Sequence, residues 1–399
     1  MSVTAAAGFE AAGVAAGIKP SGDPDLALVA TAGRRPVAAA GVFTSNLCQA
    51  APVQVSRRHL RDGRAVAVVL SSGNANAATG APGRADALGM CERTASELGC
   101  ATEDVLVCST GLIGYRLPMP AVEAAIPTLV AGLRGGEEAS AAAAEAMLTT
   151  DTVRKEAVAA AAVGDGIEAT VGGVAKGAAM LAPSMATMLA VLTTDAAVES
   201  RALHAALERA VDVSFNQLSV DGCTSTNDTV LVLASGAAGN RPIGFGGPAF
   251  HSLGEALTSV CSSLAEQMAA DAEGATKLAR IVVRGARSVD DARRAARAVA
   301  RSQLVQCSLY GGDPYWGRVL SELGASGARF DPEAVEIAYN GVVVCRDGVA
   351  ADHDAEGLAG SMEGREIEVR CDLRAGGSEA TVLTTDLTHA YIDENRRTS

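Results

Sequence analysis

The sequence predicts a layered α/β or α+β fold rather than a doubly wound parallel sheet. Short apolar runs rich in Val and Leu alternate with Ala-rich amphipathic segments, but without a regular strand-helix-strand repeat. With 399 residues the chain exceeds the size of one ordinary hydrophobic core, so two domains are expected. Aromatic residues make up only 3% of the chain, so Val, Leu, Ile and Ala must fill these cores.

Seven short segments dominated by Val and Leu are predicted strands. They lie at 27–33, 65–71, 105–109, 187–194, 229–235, 280–285 and 366–371. Six Ala-rich segments with apolar residues at helical spacing are predicted helices. They span 84–98, 119–134, 137–148, 199–212, 251–270 and 288–301. Ser288, followed three residues later by Asp291, has the pattern of a helix-capping box at the start of the last helix.

Glycine-rich stretches mark predicted turns and loops. Residues 239–248 are predicted to form a loop or a subdomain boundary. The stretches 80–89 and 172–178 resemble phosphate-binding or dinucleotide-binding loops, but neither has the glycine spacing that such loops require. Both are therefore predicted to be turns.

Charge and hydropathy exclude several classes of function. The net charge of −13 disfavours binding to nucleic acid or to anionic lipid. Residues 177–194 carry no charge, but a membrane-spanning helix needs about 20 apolar residues. This run is interrupted by Pro183 and ends in the polar pair Thr193–Thr194, so no span is predicted. The N-terminus lacks a basic segment and carries Glu10 where a secretory signal would be apolar, so secretion is not expected.

The cysteines and histidines suggest neither a disulfide framework nor a metal site. Nine cysteines without a C-x-x-C pair suit free thiols in a reducing cytoplasm. The histidines are scattered singly, at His59, His204, His251, His353 and His389. Neither a zinc cluster nor a His-based catalytic triad is therefore predicted.

Thr187, within the uncharged run, has two open interpretations. It is either an ordinary strand residue, as Thr commonly is, or a nucleophile. A threonine acts as a nucleophile when a base lies beside it, and its own α-amino group serves if the chain is cut immediately before it. An α-amine titrates near about pH 8, so a fraction is neutral at cytoplasmic pH and can take the hydroxyl proton.

Lysine is scarce in this chain. Only Lys19, Lys155, Lys176 and Lys277 occur among 33 basic residues. Where Arg otherwise supplies the positive charge, a retained Lys suggests a task for a compact point charge. Chance retention explains the pattern equally well.

The chain resembles the ornithine acetyltransferase family, also called glutamate N-acetyltransferases, from about Gly8 to the C-terminus. The most specific block is "KGAAMLAPSMATMLAVLTTDA", which matches the self-cleavage segment of the family. Further matching blocks are "GVFTSN" (41–46), "SSGNANAATG" (71–80), "CSTGLIG" (108–114), "MLTTDT" (147–152), "SFNQLSVDGCTSTNDT" (214–229), "DAEGATK" (271–277), "GGDPYWGR" (311–318) and "DLTHAYIDEN" (386–395).

The resemblance implies an αββα sandwich of the kind found in relatives of the aminopeptidase DmpA, with a smaller C-terminal α/β domain. The catalytic core would cover about 1–278, and the C-terminal domain that completes the site about 279–399. Self-cleavage between Ala186 and Thr187 would give an α chain of 1–186 and a β chain of 187–399, which stay together as α2β2 or a larger assembly. No metal or organic cofactor is implied.

The resemblance also implies a cytoplasmic enzyme that moves acetyl from N2-acetyl-L-ornithine to L-glutamate by a ping-pong mechanism. Thr187 would be the nucleophile, with its own α-amine as the base. Thr110 and Gly111 match the pair that stabilises the oxyanion. The matching substrate-binding positions are Thr150, Lys176, Thr187, Glu273, Asn395 and Ser399.

The chain departs from the family pattern at a few positions. Ser71 and Arg301 stand where Asn is usual, Tyr315 replaces the Asn before the Trp-Gly-Arg segment, and the tail after Asn395 is one residue shorter. These departures leave open a paralogue that acts on another N-acyl amino acid. Two further alternatives are an amidohydrolase or aminopeptidase with the same kind of nucleophile and an uncleaved binding subunit. The sequence leaves open whether acetyl-CoA is also a donor.

Overall fold

The computed structural model describes residues 2–182 and 188–396, and these residues form two compact units. Within the described residues, unit 1 comprises 2–177, 188–216 and 224–268. Unit 2 comprises 178–182, 217–223 and 269–396. The short segments 178–182 and 217–223 join unit 2 although unit 1 surrounds them in the sequence, and no local pattern indicated this.

Unit 1 contains two sheets and six helices. Its strands are β1 (Phe9–Val14), β2 (Leu26–Thr31), β3 (Val37–Phe43), β4 (Arg64–Ala65), β5 (Ala67–Asn74), β6 (Val105–Leu112), β7 (Lys155–Ala162), β8 (Glu168–Lys176), β9 (Leu189–Thr194) and β10 (Thr229–Ala234). Its helices are α1 (Ala51–His59), α2 (Gly80–Leu98), α3 (Met119–Ala131), α4 (Glu137–Met147), α5 (Ser200–Asp212) and α6 (Gly247–Ala270), of which residues 269–270 belong to unit 2.

The two sheets of unit 1 combine antiparallel and parallel pairs. The four-stranded sheet has the order β1-β2-β5-β6, and only β5 and β6 run parallel. The six-stranded sheet has the order β4-β3-β10-β9-β8-β7, in which β9 and β10 are the parallel pair. Parallel neighbours bring their carboxyl ends, and equally their amino ends, to the same edge of a sheet. This property places the candidate site residues below.

The sheets of unit 1 pack face to face, with helices on their outer faces. Val68 and Leu106 of the four-stranded sheet share one buried cluster with Val191 and Leu231 of the six-stranded sheet. On its other side the four-stranded sheet packs against α1, α2 and α3, and α5 contacts β3 and β10 of the six-stranded sheet. The αββα sandwich is thus confirmed, because both faces of each sheet are covered by apolar side chains.

The prediction of turns at the two glycine-rich lookalike loops was wrong. Gly172 and Gly173 lie within β8, where a Cβ on Gly172 would lie 1.9 Å from the Ser2 carbonyl oxygen. A Cβ on Gly173 would lie 2.5 Å from the side chain of Leu192. These glycines therefore permit close packing rather than a turn. Residues 80–89 begin α2, and residues 239–246 form a loop inside unit 1 rather than a boundary.

Unit 2 is built on one mixed six-stranded sheet. Its strands are β11 (Leu278–Ala286), β12 (Glu336–Tyr339), β13 (Val342–Arg346), β14 (Val349–Ala350), β15 (Glu366–Asp372) and β16 (Ser378–Thr385), in the order β14-β13-β12-β15-β11-β16. Its helices are α7 (Val289–Arg301), α8 (Gln303–Tyr310), α9 (Trp316–Ala325), α10 (Ala355–Ser361) and α11 (His389–Asn395).

The core of unit 2 forms where α7 packs on the sheet. Ala295 and Val299 of α7 share a buried cluster with Ile281 of β11. The predicted helix cap is confirmed, since the Ser288 hydroxyl oxygen accepts the backbone N–H of Asp291 at 3.1 Å. Among the described residues, none of the helices is both long and apolar enough to cross a membrane.

Candidate active site

The end of β6 carries two of the predicted residues, Thr110 and Gly111. In the parallel ladder Thr110 pairs with Ser72 and Gly111 with Gly73, and the register shifts at the next residue. Gly111 has φ +129°, and a Cβ there would lie 2.3 Å from the carbonyl carbon of Gly73. Only glycine fits this backbone position. Residue 111 is exposed, whereas Thr110 is only 2% exposed.

The departure at Ser71 lies beneath this strand end. The buried Ser71 hydroxyl donates a hydrogen bond of 2.8 Å to the Ser109 hydroxyl oxygen, across β5 and β6. The short serine side chain is thus satisfied within the sheet, so this substitution leaves no unpaired polar group under Thr110.

Lys176 ends β8 and is buried in unit 1. Its Nζ donates to the Thr149 hydroxyl oxygen at 2.6 Å and lies 3.4 Å from Asp151 Oδ2. Thr150 lies in the same loop, between Thr149 and Asp151, and its side chain is exposed. The structure therefore brings the predicted residues Lys176 and Thr150 into one segment of the site.

Asp151 organises the charges around Lys176. Its Oδ1 accepts hydrogen bonds from Lys155 Nζ at 2.7 Å and from the backbone N–H of Gly177 at 2.6 Å. Burial alone would raise the pKa of Asp151, but the ammonium groups of Lys176 and Lys155 lower it below the usual value. One carboxylate thus faces two ammonium groups. The net positive charge of these three groups favours the binding of an additional anion.

Lys19 lies in the loop between β1 and β2, close to Gly73 near the end of β5. A Cβ on Gly73 would lie 3.0 Å from Lys19 Cγ, and Lys19 Nζ donates to the Pro24 carbonyl oxygen at 2.7 Å. Burial lowers the pKa of Lys19, although Asp25 raises it. The Lys176 ammonium lowers it as well, so these two positive charges lie near one another. Lysine scarcity was the only sequence signal for Lys19 and Lys155.

The amino ends of β9 and β10 form a third part of the site in unit 1. The backbone N–H of Met188 donates to Asp228 Oδ1 at 3.0 Å. Asp228 Oδ2 is buried and has no hydrogen-bond partner among residues 2–182 and 188–396. Burial raises the pKa of Asp228 well above its usual value, in spite of the Met188 N–H. Ala186 and Thr187, the predicted cleavage and nucleophile positions, lie outside the described residues.

Unit 2 brings together two further predicted residues. Glu273 Oε2 accepts a hydrogen bond of 2.7 Å from Asn395 Nδ2, although the two residues are 122 positions apart. Asn395 also donates to the Tyr391 carbonyl oxygen at 3.0 Å. Glu273 is only 9% exposed, and Asn395 is half-buried. Ser399 lies outside the described residues.

Asp221 is a second acid of unit 2 beside Glu273, and sequence reasoning missed it. Its Oδ2 accepts the backbone N–H of Met180 at 2.6 Å, and the Tyr391 hydroxyl lies 3.5 Å from the same oxygen. Burial raises the pKa of Asp221, and the charge of Glu273 raises it further, while the Met180 N–H lowers it. Asp221 stood within a matched block, but no local pattern distinguished it from its neighbours.

The remaining departures also lie in unit 2. A Cβ on Gly222 would lie 3.9 Å from Arg301 Nε, so Arg301 borders the loop that carries Asp221. Tyr315 is exposed, and the Arg318 guanidinium lies 5.8 Å from its ring centre. Within residues 2–182 and 188–396, no group of three or more His, Cys, Asp or Glu side chains is arranged to hold a metal ion.

Comparison with known proteins places these observations in context. The sequence model of the ArgJ family matches residues 10–398. The arginine biosynthesis bifunctional protein ArgJ of Thermobifida fusca is 50% identical over 395 residues, which cover 99% of each chain. The protein of the same name from Streptomyces coelicolor is 48% identical over 399 residues, again 99% of each chain.

Two solved structures show more limited similarity. The ornithine acetyltransferase of Mycobacterium tuberculosis, solved with ornithine, is 46% identical, and the match covers 46% of this chain and 95% of that chain with a TM-score of 0.42. The ArgJ protein of Bacillus halodurans is 33% identical, with coverages of 51% and 95% and a TM-score of 0.49.

Proposed function

The chain belongs to the ArgJ family, and from this premise we propose that it transfers the acetyl group of N2-acetyl-L-ornithine to L-glutamate. The observation that carries the proposal is the 50% identity to an arginine biosynthesis bifunctional protein over 99% of both chains. The excess of ammonium groups around Asp151 supports it, because both amino-acid substrates carry an α-carboxylate.

We propose that the chain first cleaves itself between Ala186 and Thr187. The Thr187 hydroxyl attacks the Ala186 carbonyl carbon, the peptide C–N bond breaks, and water opens the resulting ester. The products are an α chain of 1–186 and a β chain of 187–399, with a free α-amine on Thr187. That amine is the base that the scattered histidines do not supply.

Acetyl transfer then proceeds in two steps. The Thr187 α-amine takes the hydroxyl proton, the oxygen attacks the acetyl carbon, and ornithine leaves with the proton on its α-nitrogen. The α-amine of glutamate next attacks the acetyl-enzyme, and the proton it loses returns to the Thr187 oxygen. Thr110 and Gly111 stabilise the negative oxygen in both steps, and loss of one such donor typically costs about 100- to 1,000-fold in rate.

The substrate contacts follow from the charges of each residue. Lys176 pairs with the α-carboxylate that both substrates share, and the Thr150 hydroxyl orients the same end. Glu273, with Asp221 nearby, suits the side-chain ammonium of ornithine. Asn395 uses both of its N–H donors on Glu273 and on the Tyr391 carbonyl oxygen, so it holds Glu273 in place and offers its amide oxygen to a substrate ammonium group. Ser399 completes the proposed set of contacts.

The proposal includes an assembly and a location. The cleaved α and β chains remain associated as α2β2 or a larger oligomer, because the sandwich is shared between them and separation would expose apolar surface. The enzyme acts in the cytoplasm, in agreement with its free cysteines.

The test is an incubation of purified protein with N2-acetylornithine and isotopically labelled glutamate, followed by mass spectrometry. Labelled N-acetylglutamate is the expected product, and acetyl-CoA replaces acetylornithine in a parallel incubation. Release of acetate alone would instead indicate an amidohydrolase. Intact mass should show fragments of 186 and 213 residues for wild type and one chain for Thr187→Ala. A single uncleaved wild-type chain without transfer would indicate a binding subunit.

A further inference from the structure

We infer that Asn227 and Asp228 are positioning residues, which together hold the start of β9 in place against the end of β6. The inference rests on the proposed function, since β6 carries the proposed oxyanion donors and β9 follows the proposed nucleophile. The two residues are part of the matched block "SFNQLSVDGCTSTNDT", to which the proposed mechanism assigns no role.

Asn227 connects the two sheets of unit 1. It precedes β10 of the six-stranded sheet, and its Nδ2 donates to the Ser109 carbonyl oxygen at 2.8 Å and to the Ala75 carbonyl oxygen at 2.6 Å. Ser109 lies in β6 and Ala75 directly follows β5, so both acceptors belong to the four-stranded sheet. The side chain is 4% exposed, and it uses both of its N–H donors for this connection.

The acceptor at Ser109 places Asn227 directly behind the oxyanion pair. The Ser109 carbonyl and the Thr110 N–H belong to the same planar peptide group. The hydrogen bond from Asn227 therefore holds the Ser109–Thr110 peptide plane in place, and this plane sets the position of Thr110 and Gly111. The amide oxygen of Asn227 is held as well, because it accepts a hydrogen bond of 2.6 Å from the Thr226 hydroxyl.

Asp228 makes the complementary contact on the other strand. Its carboxyl accepts the Met188 N–H at 3.0 Å, and the Met188 carbonyl oxygen in turn accepts the Thr229 N–H at 3.1 Å. Met188 is the residue that follows Thr187. Asn227 thus holds Ser109, the residue before the proposed oxyanion donor Thr110. Asp228 holds Met188, the residue after the proposed nucleophile Thr187. Because Asn227 and Asp228 are consecutive, one peptide bond connects these two contacts.

A purely structural role makes a different prediction, and Asn240 offers a matched control. Asn240 is also buried in unit 1, and its Nδ2 likewise donates to two carbonyl oxygens, of Ala197 at 3.0 Å and of Arg241 at 2.8 Å. Replacement of either Asn by Leu removes a similar set of hydrogen bonds. The two variants should therefore lose similar stability, but only Asn227 lies beside the proposed oxyanion donors.

The experiment measures kcat and KM for acetyl transfer, together with the thermal midpoint, in wild type, Asn227→Leu and Asn240→Leu. We expect Asn227→Leu to lower kcat about 10- to 100-fold, because a displacement of about 1 Å costs roughly this much. KM should change less than about threefold, since the substrate contacts stay in place. Asn240→Leu should keep the wild-type kcat. If Asn227→Leu does not fold, kcat, KM and the thermal midpoint are measured in Asn227→Ser and Asp228→Ala instead.

Two results would overturn this inference but leave the proposed function intact. One is an equal loss of kcat in Asn227→Leu and Asn240→Leu, and the other is a rise in KM of Asn227→Leu without a fall in its kcat. Both require wild type to transfer acetyl to glutamate. Wild type that transfers none overturns the proposed function as well, so the two failures are distinguished.

Discussion

Asp151 and Lys155 form a completely buried ion pair in unit 1, with Oδ1 and Nζ 2.7 Å apart. The same carboxylate lies 3.4 Å from the Nζ atom of Lys176. Asp151 therefore allows two ammonium groups to be buried beside each other, and it keeps Lys176 in one position at the end of β8. The position of the proposed carboxylate-binding lysine depends on this pair.

Asp151→Asn should destabilise the folded chain by about 3–5 kcal/mol, because it leaves two buried ammonium groups without their common carboxylate. Asp165→Asn is the control, since the ion pair of Asp165 with Arg241, at 3.6 Å, is exposed. That change should cost less than about 1 kcal/mol. Urea unfolding followed by circular dichroism measures both, and equal midpoints for the two variants would contradict the role given to Asp151.

Asp228→Asn should alter the pH dependence of stability. Because burial raises the pKa of Asp228, the folded chain keeps this proton at a pH where the unfolded chain, with a pKa of about 3.9, has lost it. The stability of wild type therefore declines as the pH rises from about 4 toward the folded pKa. Asn has no proton to lose and can still accept the Met188 N–H.

The stability of Asp228→Asn should consequently increase relative to wild type by about 1.4 kcal/mol for each unit by which folding raises the pKa. Urea midpoints at about pH 4.5 and about pH 8 measure this difference. A difference between variant and wild type that stays constant with pH would show that Asp228 has an ordinary pKa.

Gly111→Ala should lower acetyl transfer at least about 100-fold, as expected when an oxyanion donor is displaced. A Cβ there would lie 2.3 Å from the backbone of Gly73, so β5 or β6 must move. Gly114→Ala separates this collision from the cost of the backbone conformation. Gly114 also has a positive φ, +92°, but a Cβ there meets no atom of the described residues within 4 Å.

Gly114→Ala should therefore cost about 1 kcal/mol of stability and leave kcat close to wild type. The measurement is kcat for acetyl transfer together with the thermal midpoint. If Gly111→Ala and Gly114→Ala have the same kcat, Gly111 does not shape the oxyanion site.

Lys176→Met should abolish most of the preference for substrates with an α-carboxylate. The preference is the ratio of kcat/KM for N2-acetylornithine to that for N-acetyl-1,4-diaminobutane, which lacks the carboxylate. A hydrogen bond to a charged group contributes about 1.5–3 kcal/mol, so the ratio should fall about 10- to 150-fold.

Lys277→Met is the control for loss of a lysine. Lys277 Nζ donates to three carbonyl oxygens in unit 2, those of Met362, Glu363 and Gly364, at 2.8–2.9 Å. Its replacement should lower the thermal midpoint without changing the substrate ratio. An unchanged ratio in Lys176→Met would refute the assignment of Lys176 to the carboxylate.

Two of the strands that sequence analysis missed, β3 and β7, are rich in Ala. β3 reads "VAAAGVF" and β7 reads "KEAVAAAA", and neither segment has the Val and Leu content that predicts a strand. Residues 38–43 of β3 pair with β10, and β7 pairs with β8 along its whole length. β3 is extended because β10, distant in sequence, completes its hydrogen bonds, whereas β7 forms a hairpin with the next strand, β8. In both cases strand pairing outweighs a weak local preference.

The site shows the same division. Matched sequence blocks predicted Thr110, Gly111, Lys176, Glu273 and Asn395 as site residues, and the structure places each of these at the end of a strand or helix or in a loop. The blocks did not distinguish Asp221 or Asp228 from their neighbours. The importance of these acids comes from burial and from partners elsewhere in the chain, such as Met180 and Met188.

The sequence by itself determined the chemical groups available to this protein, its longer helices and part of its strands, and its membership of the ArgJ family. Only the tertiary structure decided which groups meet: Asp151 between two lysines, Gly73 against Gly111, and Glu273 beside Asn395. The reason is physical. Local patterns report the preferences of neighbouring residues, whereas strand register and burial depend on the packing of segments far apart in the chain.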